Sequence, residues 1–248
     1  MSDGWFDEDV AETYDADTAD TLDPAVIGPQ LDLLAALADG GRALEFAIGT
    51  GRIAISLASR GVPVAGIELS RAMVARLRAK PGGDEASIPV AIGDMTSARA
   101  EPVGGFSLVY LVFNTVMNVT SQDGQVDVFA NAARHLSPGG RFLIETGVPD
   151  LRRLPRGARY VPFDVSETHV GVDEYDPATQ RLWSHHVTTR ADGRIERSAT
   201  PFRYVWPSEL DLMARIAGMT LDSRWADWTR AEFTSDSRSH VSVWRKPR

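Results

Sequence analysis

Residues 43–54 read "ALEFAIGTGRIA", and the fold follows from how these twelve are taken. Ala43–Ile48 is apolar apart from Glu45 and reads as a short buried strand. Gly49-Thr50-Gly51 is a turn, and the apolar spacing from Arg52 to Ser59 reads as a helix. A glycine turn between strand and helix lets backbone approach a ligand closely, and the amides at the helix start favour negative charge.

The same alternation continues outward. Upstream, Asp23-Pro24 predicts a helix start, and Val26, Ile27, Leu31, Leu34, Ala35 and Leu37 follow near helical spacing until Gly40-Gly41. Downstream come a second strand "VPVAGIEL" (62–69), a helix capped by Ser70 and a third strand "IPVAIGD" (88–94). The fourth strand, "FSLVYLVF" (106–113), is so apolar that both of its faces are expected to be buried. An amphipathic helix "QVDVFANAARHL" (125–136), a turn at Ser137-Pro138-Gly139-Gly140 and a fifth strand "RFLIET" (141–146) complete the series. This order predicts an α/β, Rossmann-like, doubly wound and mostly parallel sheet with right-handed crossovers.

The pattern changes after Pro149. Residues 168–176, 181–190 and 194–206 read as antiparallel strands, with turns at Asp176-Pro177 and Asp192-Gly193. Ser208 then caps a helix, and two strands, 219–228 and 240–246, end the chain. Four segments are expected: an acidic N-terminal arm or lid (1–23) carrying Trp5, Phe6 and Tyr14, a core (24–150), a small antiparallel β insertion (151–206), and a C-terminal helix with the final two strands of the core (207–248).

Composition narrows the function. The 248 residues carry a net charge of −8, which disfavours a general nucleic-acid binder, since phosphate contacts need clustered Lys and Arg. With no cysteine, disulfides, thiolate catalysis and cysteine-ligated zinc are excluded. No secretion signal or membrane span is visible, so a cytoplasmic protein working as a monomer or homodimer, away from membranes, is expected.

Gly49-Thr50-Gly51-Arg52-Ile53-Ala54 fits G-x-G-x-x-A, a fingerprint for dinucleotides. Glu68 follows nineteen positions later at the end of the second strand, placed to accept hydrogen bonds from ribose hydroxyls. Both features suit NAD and S-adenosylmethionine alike. Glu45 separates the two, because a carboxylate just before the turn repels a pyrophosphate but attracts a cationic amino group. The third strand ends in Gly93-Asp94-Met95, where an Asp can accept from an adenine amino group and a Met can lie on the ring.

With "LEFAIGTG", "GIELS", "GDM" and "HLSPGGRFLIE" together, the chain resembles the class I S-adenosylmethionine-dependent methyltransferases over about residues 40–148 and the last two strands. Where that family's motif has its first glycine this chain has Ala47, small enough to be tolerated. The resemblance implies a seven-stranded sheet with its last strand antiparallel, and an insertion that roofs the active site. It implies S-adenosylmethionine as cofactor, S-adenosylhomocysteine as product, and transfer to nitrogen or oxygen of a small molecule; since the sequence shows no metal-ligating constellation, metal-independent chemistry is expected. The arm "AETYDADTAD" is similar to the Tyr-Asp arm of small-molecule methyltransferases, which places Tyr14 near cofactor or acceptor. The alternatives are a NAD-dependent oxidoreductase and a non-catalytic binder of an adenosine cofactor.

The expected cofactor site is therefore Tyr14, Glu45, Ala47, Gly49, Gly51, Glu68, Leu69, Gly93, Asp94, Met95 and Phe113. Asp94 has a competing reading as a cap of the next segment, and Leu69 and Met95 as core residues. Phe113 and Asn114 follow the fourth strand, where ligands of open sheets lie, and Asn114 is either an acceptor contact or a turn residue. His185 and His186 point to opposite faces of a strand, so they do not share a metal, and His186 is a candidate general base. The catalytic candidates are thus Asn114, Tyr14 and His186. Phe202, Tyr204 and Trp206 are expected on one strand face, packing the roof. Arg203, Arg152 and Arg153 are either surface groups or contacts for an acidic acceptor. His135, late in a helix, reads as a structural cation.

Overall fold

A computed structural model describes residues 6–19 and 23–248, so Trp5 lies outside the described residues. The chain opens with α1 (Glu8–Asp17) and α2 (Pro24–Ala38), and alternates through β1 (Ala43–Phe46), α3 (Arg52–Ser59), β2 (Val64–Glu68), α4 (Arg71–Arg78), β3 (Val90–Ile92) and β4 (Phe106–Leu111). A 3-10 turn (Thr115–Asn118), α5 (Gln122–His135) and β5 (Leu136–Gly147) follow. Then come β6 (Tyr160–Val165), β7 (His169–Asp176), β8 (Arg181–Thr189), β9 (Ile195–Arg203), α6 (Pro207–Ile216), β10 (Thr220–Trp225) and β11 (Ser239–Arg245).

Seven strands form one sheet in the order β10-β11-β5-β4-β1-β2-β3. Strands β1 to β5 are mutually parallel, and β11 enters antiparallel to β5 and to β10. On one face Phe46, Phe142 and Trp244 of the strands cluster with Phe129 of α5 and Leu210 of α6; on the other Tyr110 of β4 clusters with Leu31 and Leu34 of α2 and Ile53 and Leu57 of α3. This is the expected Rossmann-like sheet, with β4 buried on both faces.

The arm holds more structure than its sequence suggested. Asp7 Oδ1 accepts from Val10 N at 3.1 Å and caps α1, with Glu8 and Asp9 in the favoured acidic first turn. Asp15 anchors this helix to the core: Thr50 Oγ1 donates to it at 2.6 Å and Lys80 Nζ at 2.8 Å.

The insertion after β5 is a four-stranded antiparallel meander, β6-β7-β8-β9. It has one strand, β6, more than expected. Tyr204 and Trp206 lie beyond the end of β9, so they do not share its face with Phe202; Tyr204 packs instead on Tyr175 and Trp206. Ser137–Gly140 belongs to the start of β5, where the register with β4 jumps from Phe106↔Leu136 to Leu108↔Arg141. His135 is structural but not a cation. It is fully buried, its Nε2 accepts from Ala100 N at 3.1 Å, and burial holds its pKa below the usual imidazole value.

Candidate active site

The carboxyl ends of β1, β2 and β3 and the segment after β4 surround one cavity, roofed by β9. The strand order steps from β1 to β4 on one side and β2 on the other, so the cavity lies at the switch point where ligands of open sheets bind.

The turn after β1 forms the floor. Gly49 lines the cavity in the left-handed conformation at φ 56°, and a Cβ there would meet nothing nearer than Ala47 O at 4.0 Å. Gly51 has a different role. It caps α3 away from the cavity wall, and a Cβ on it would stand 2.9 Å from the Leu77 side chain. Its hydrogen permits α4 to pack closely. Ala47 lines the floor, but at φ 52° it holds a left-handed backbone that costs an L-residue about 1 kcal/mol or more.

Glu68 stands at the end of β2, buried in the cavity wall. Its Oε2 accepts from Gly49 N and its Oε1 from Ser70 N, both at 2.8 Å. Burial raises its pKa, and these backbone donors oppose the rise. A carboxylate has about four acceptor sites, so capacity remains for a ligand hydroxyl. Leu69, Gly93 and Met95 line the wall beside it.

Asp94 sits between the lining residues Gly93 and Met95, and its Oδ1 accepts from Thr96 N at 2.8 Å, capping the turn. Glu45 is buried below the floor, where Tyr110 Oη donates to its Oε2 at 2.9 Å. Burial drives its pKa up to about 8, against the Tyr110 hydrogen bond and the charge of Arg52. Tyr14 reaches the cavity from α1, its ring edge-on to Phe6, and its hydroxyl pKa is raised by burial.

Of the other sequence candidates, Asn114, Phe113 and His186 do not line the cavity. Asn114 adopts the left-handed conformation and its Oδ1 accepts from Gly147 N at 2.6 Å, tying the end of β4 to the end of β5. The 3-10 turn that follows carries the chain back to the cavity, so Asn118 and Thr115 line it instead. Phe113 is exposed beneath the Arg52 guanidinium, 5.2 Å from its ring centroid, and its N–H donates to Glu145 at 2.6 Å. His186 lies on the inner face of the insertion, bonded to His169 and Ser184. His185 points to the other face, toward Glu174 at 3.2 Å. Arg203 is no contact for an acidic acceptor: it is buried and its guanidinium is held by Glu209, Gln180 and Gln125. Arg152 pairs with Asp150 and Asp236; the side chain of Arg153 lies outside the described residues.

Sequence reasoning missed Ser70, Thr120, Thr200 and Pro201 in the wall. Ser70 follows the end of β2, a positional signal that was available. Thr200 and Pro201 arrive through the long-range placement of the insertion, which no local pattern encodes.

A glycine floor, a buried carboxylate holding two backbone amides, and apolar walls at the switch point define an α/β protein built to hold an adenosine cofactor. The chain is similar to known methyltransferases. A family model for a methyltransferase domain matches residues 43–140. The CcbJ methyltransferase of Streptomyces caelestis is 34% identical over 89% of this chain and 89% of its own, with a TM-score of 0.78. CalS10 of Micromonospora echinaspora, an amino pentose methyltransferase, is 20% identical over 88% and 89%, with a TM-score of 0.65. The sugar N-methyltransferase KedS8 of Streptoalloteichus is 19% identical over 88% and 85%, with a TM-score of 0.60. No curated protein matches the chain significantly. The chain belongs to the class I S-adenosylmethionine-dependent methyltransferases, so it is an enzyme, its cofactor is S-adenosylmethionine and the product of that cofactor is S-adenosylhomocysteine. The nicotinamide alternative is set aside. The residues present fit the cofactor, since the open space over Gly49 is space that any side chain would fill. Among the described residues, no helix is long and apolar enough to cross a membrane.

Proposed function

We propose that this enzyme methylates a nitrogen or oxygen atom of a small molecule held between the cofactor cavity and the four-stranded insertion. The observation that carries this reading is the cavity wall itself, in which Thr200 and Pro201 of β9 stand opposite Gly49 and Glu68 of the cofactor floor. A ligand above the floor is covered by the insertion, which suits a small acceptor better than a polymer. CalS10 and KedS8, which share the fold, act on an amino pentose and a sugar nitrogen respectively, and this favours an amine. In this reading α1 is the lid, residues 24–150 and 207–248 the core, and residues 151–206 the roof.

Glu68 would hold the ribose, Gly49 and Ala47 the methionine end, and Leu69 and Met95 the faces of the adenine, with Asp94 beside its edge. Tyr14, on the lid, would close over the reacting centre and exclude water. When bound, the cofactor supplies a methyl group already activated on a sulfonium. What remains for the chain is to align the acceptor, a contribution of about 7–11 kcal/mol in well-oriented systems, and to accept its proton. Among the described residues no three His, Asp or Glu side chains converge as a metal site.

The test is incubation with S-adenosylmethionine and a panel of amino sugars, other amines and phenols, followed by mass spectrometry. Acceptor-dependent S-adenosylhomocysteine, with a product one methyl heavier, is the expected result. Cofactor binding without turnover on any member, and methylation of a protein or nucleic acid instead, would contradict the reading.

A further inference from the structure

One wall of the cavity is polar and uncharged. The 3-10 turn after β4 supplies one side of it, and β9, which packs against that turn, supplies the other. Residues three apart in a 3-10 helix eclipse one another. Val116 and Val119 accordingly share the side buried in the core, and Thr115 and Asn118 share the side that lines the cavity. Thr120 follows them, and Thr200 meets them from β9. Thr200 pairs with the buried Ser184 of β8, so its side chain is on the face of the insertion turned to the core.

A buried network sets the spacing of the two sides. Gln125 of α5 is fully buried, and its Nε2 donates to Val116 O of the 3-10 turn at 3.1 Å and to Arg203 O at the end of β9 at 3.0 Å. Both amide hydrogens are thus used in joining these two segments. The Arg203 guanidinium donates to Gln125 Oε1, and it also donates to Gln180 at 3.0 Å and to Glu209 at 2.7 Å. Moving either segment would strand buried polar groups, so the network holds Asn118 and Thr200 in a fixed relation.

The polar groups of this wall have hydrogen-bonding capacity left over. The Thr115 hydroxyl donates to Val112 O at 2.7 Å, which leaves it an acceptor. Among the described residues, no protein group hydrogen-bonds the Asn118 carboxamide or the hydroxyls of Thr120 and Thr200. Charge is missing as well. Among the described residues Glu68 is the one charged side chain lining the cavity, and it stands on the cofactor side, holding Gly49 N and Ser70 N. An ammonium or a carboxylate set against the polar wall would give up water with no countercharge to replace it. A hydroxyl fits, since a carboxamide and a threonine hydroxyl each both donate and accept. Two adjacent hydroxyls fit the carboxamide best, its oxygen accepting from one while its nitrogen donates to the next.

We propose that Asn118 and Thr200, with Thr120 beside them, form an acceptor subsite for adjacent uncharged hydroxyls, and that Asn118 makes the enzyme specific for a hydroxylated ring over a plain amine. The proposal rests on the methyl-transfer reading above. The hydroxyls lie against the wall, and the reacting atom projects across the cavity toward the Gly49 turn. A phosphate or carboxylate carried by the acceptor lies outside this subsite, because among the described residues no Lys, Arg or His lines the cavity.

The test uses the full chain and measures kcat/KM for the amino sugars of the panel and for cyclohexylamine, a ring amine without hydroxyls. The proteins are the native chain, Asn118→Leu, Thr200→Val and Thr200→Ser, each also titrated calorimetrically with S-adenosylhomocysteine. The quantity read is the ratio of amino sugar to cyclohexylamine, whose change between proteins is independent of the differing basicity of the two amines. Asn118→Leu should lower the ratio by about tenfold, two hydrogen bonds being lost, and Thr200→Val by about threefold, one being lost. Thr200→Ser should keep the native ratio, and all variants should bind S-adenosylhomocysteine within about twofold of native. A ratio unmoved by Asn118→Leu and Thr200→Val overturns the subsite. So does methylation of cyclohexylamine or a phenol with no amino sugar accepted, and so does a loss of S-adenosylhomocysteine affinity in Asn118→Leu, which would make Asn118 a cofactor contact. Methylation of no panel member by a protein that binds S-adenosylhomocysteine overturns the methyl-transfer reading instead, and the subsite with it.

Discussion

The backbone amide of Gly49 donates a 2.8 Å hydrogen bond to Oε2 of Glu68, so the glycine turn after β1 and the acidic end of β2 are one structural unit. Glu68 therefore does two things, shaping the floor through Gly49 and Ser70 and leaving acceptor sites for a ligand. Glu68→Ala removes both. A hydrogen bond to a charged group contributes about 1.5–3 kcal/mol, so losing one to a ribose hydroxyl should weaken binding of S-adenosylhomocysteine by about 10- to 160-fold. Glu68→Gln should lose nearly as much, because its amide would turn a donor toward one of the two backbone donors. Calorimetric titration of both variants checks this.

Glu45 gives the cofactor site a proton signature. With a pKa of about 8, its buried carboxyl is protonated at pH 7 in the free protein. A cationic amino group arriving over the floor favours the ionised form and lowers that pKa, so binding should release close to one proton and tighten as pH rises toward 8. Titration in two buffers of different ionisation enthalpy measures the release. Glu45→Gln should abolish it.

The stability of the protein should fall on both sides of a mid-range pH, for separate reasons. His240 is fully buried, and burial lowers its pKa to about 4. The unfolded chain, with its imidazole near 6.5, then binds more protons than the folded one between pH 6.5 and 4, so stability falls as pH drops through that window. Glu45 acts in the opposite sense: the folded state binds more protons between 4.5 and 8, and stability falls as pH rises there. Either slope approaches about 1.4 kcal/mol per pH unit for one group. Thermal melts across pH should show Glu45→Gln more stable than the native protein at pH 8 and no different at pH 4.

Asp15 with Thr50 and Lys80, and the Ser70 hydroxyl donating to Phe6 O, tie the N-terminal arm to the core. The pair with Lys80 is half exposed and worth little in itself, but the hydrogen bond from Thr50 is part-buried and fixes α1 against the floor turn. Asp15→Ala should leave the melting temperature within a few degrees of native, speed proteolysis near α1, and weaken S-adenosylhomocysteine binding by about 5- to 30-fold, the cost of one to two kcal/mol.

The core was readable because its signals are local. The Ala43–Phe46 strand, the Gly49 turn and the acid at Glu68 each follow from spacing, and the Asp192-Gly193 hairpin from turn chemistry. The arm hid a helix whose start, Asp7 before Glu8 and Asp9, is a capping pattern in an acidic stretch that also resembles a solvated tail. The cavity wall was legible where strand ends and the glycine turn form it and obscure where tertiary packing decides. Asn114 and Asn118 are one helical turn apart, and the left-handed backbone at Asn114 selects which of them faces the cavity. The row of His186, His169 and Asp164 depends on the register of three strands, and β6 was not seen in the sequence at all.

The central claim is that a sulfonium cofactor sits on the Gly49–Glu68 floor. Its most direct test is calorimetric titration of the full chain with S-adenosylmethionine, S-adenosylhomocysteine and NADH. The account predicts dissociation constants of about micromolar order for the first two and no binding of NADH. Binding of NADH, with neither sulfonium nor thioether bound, would contradict it.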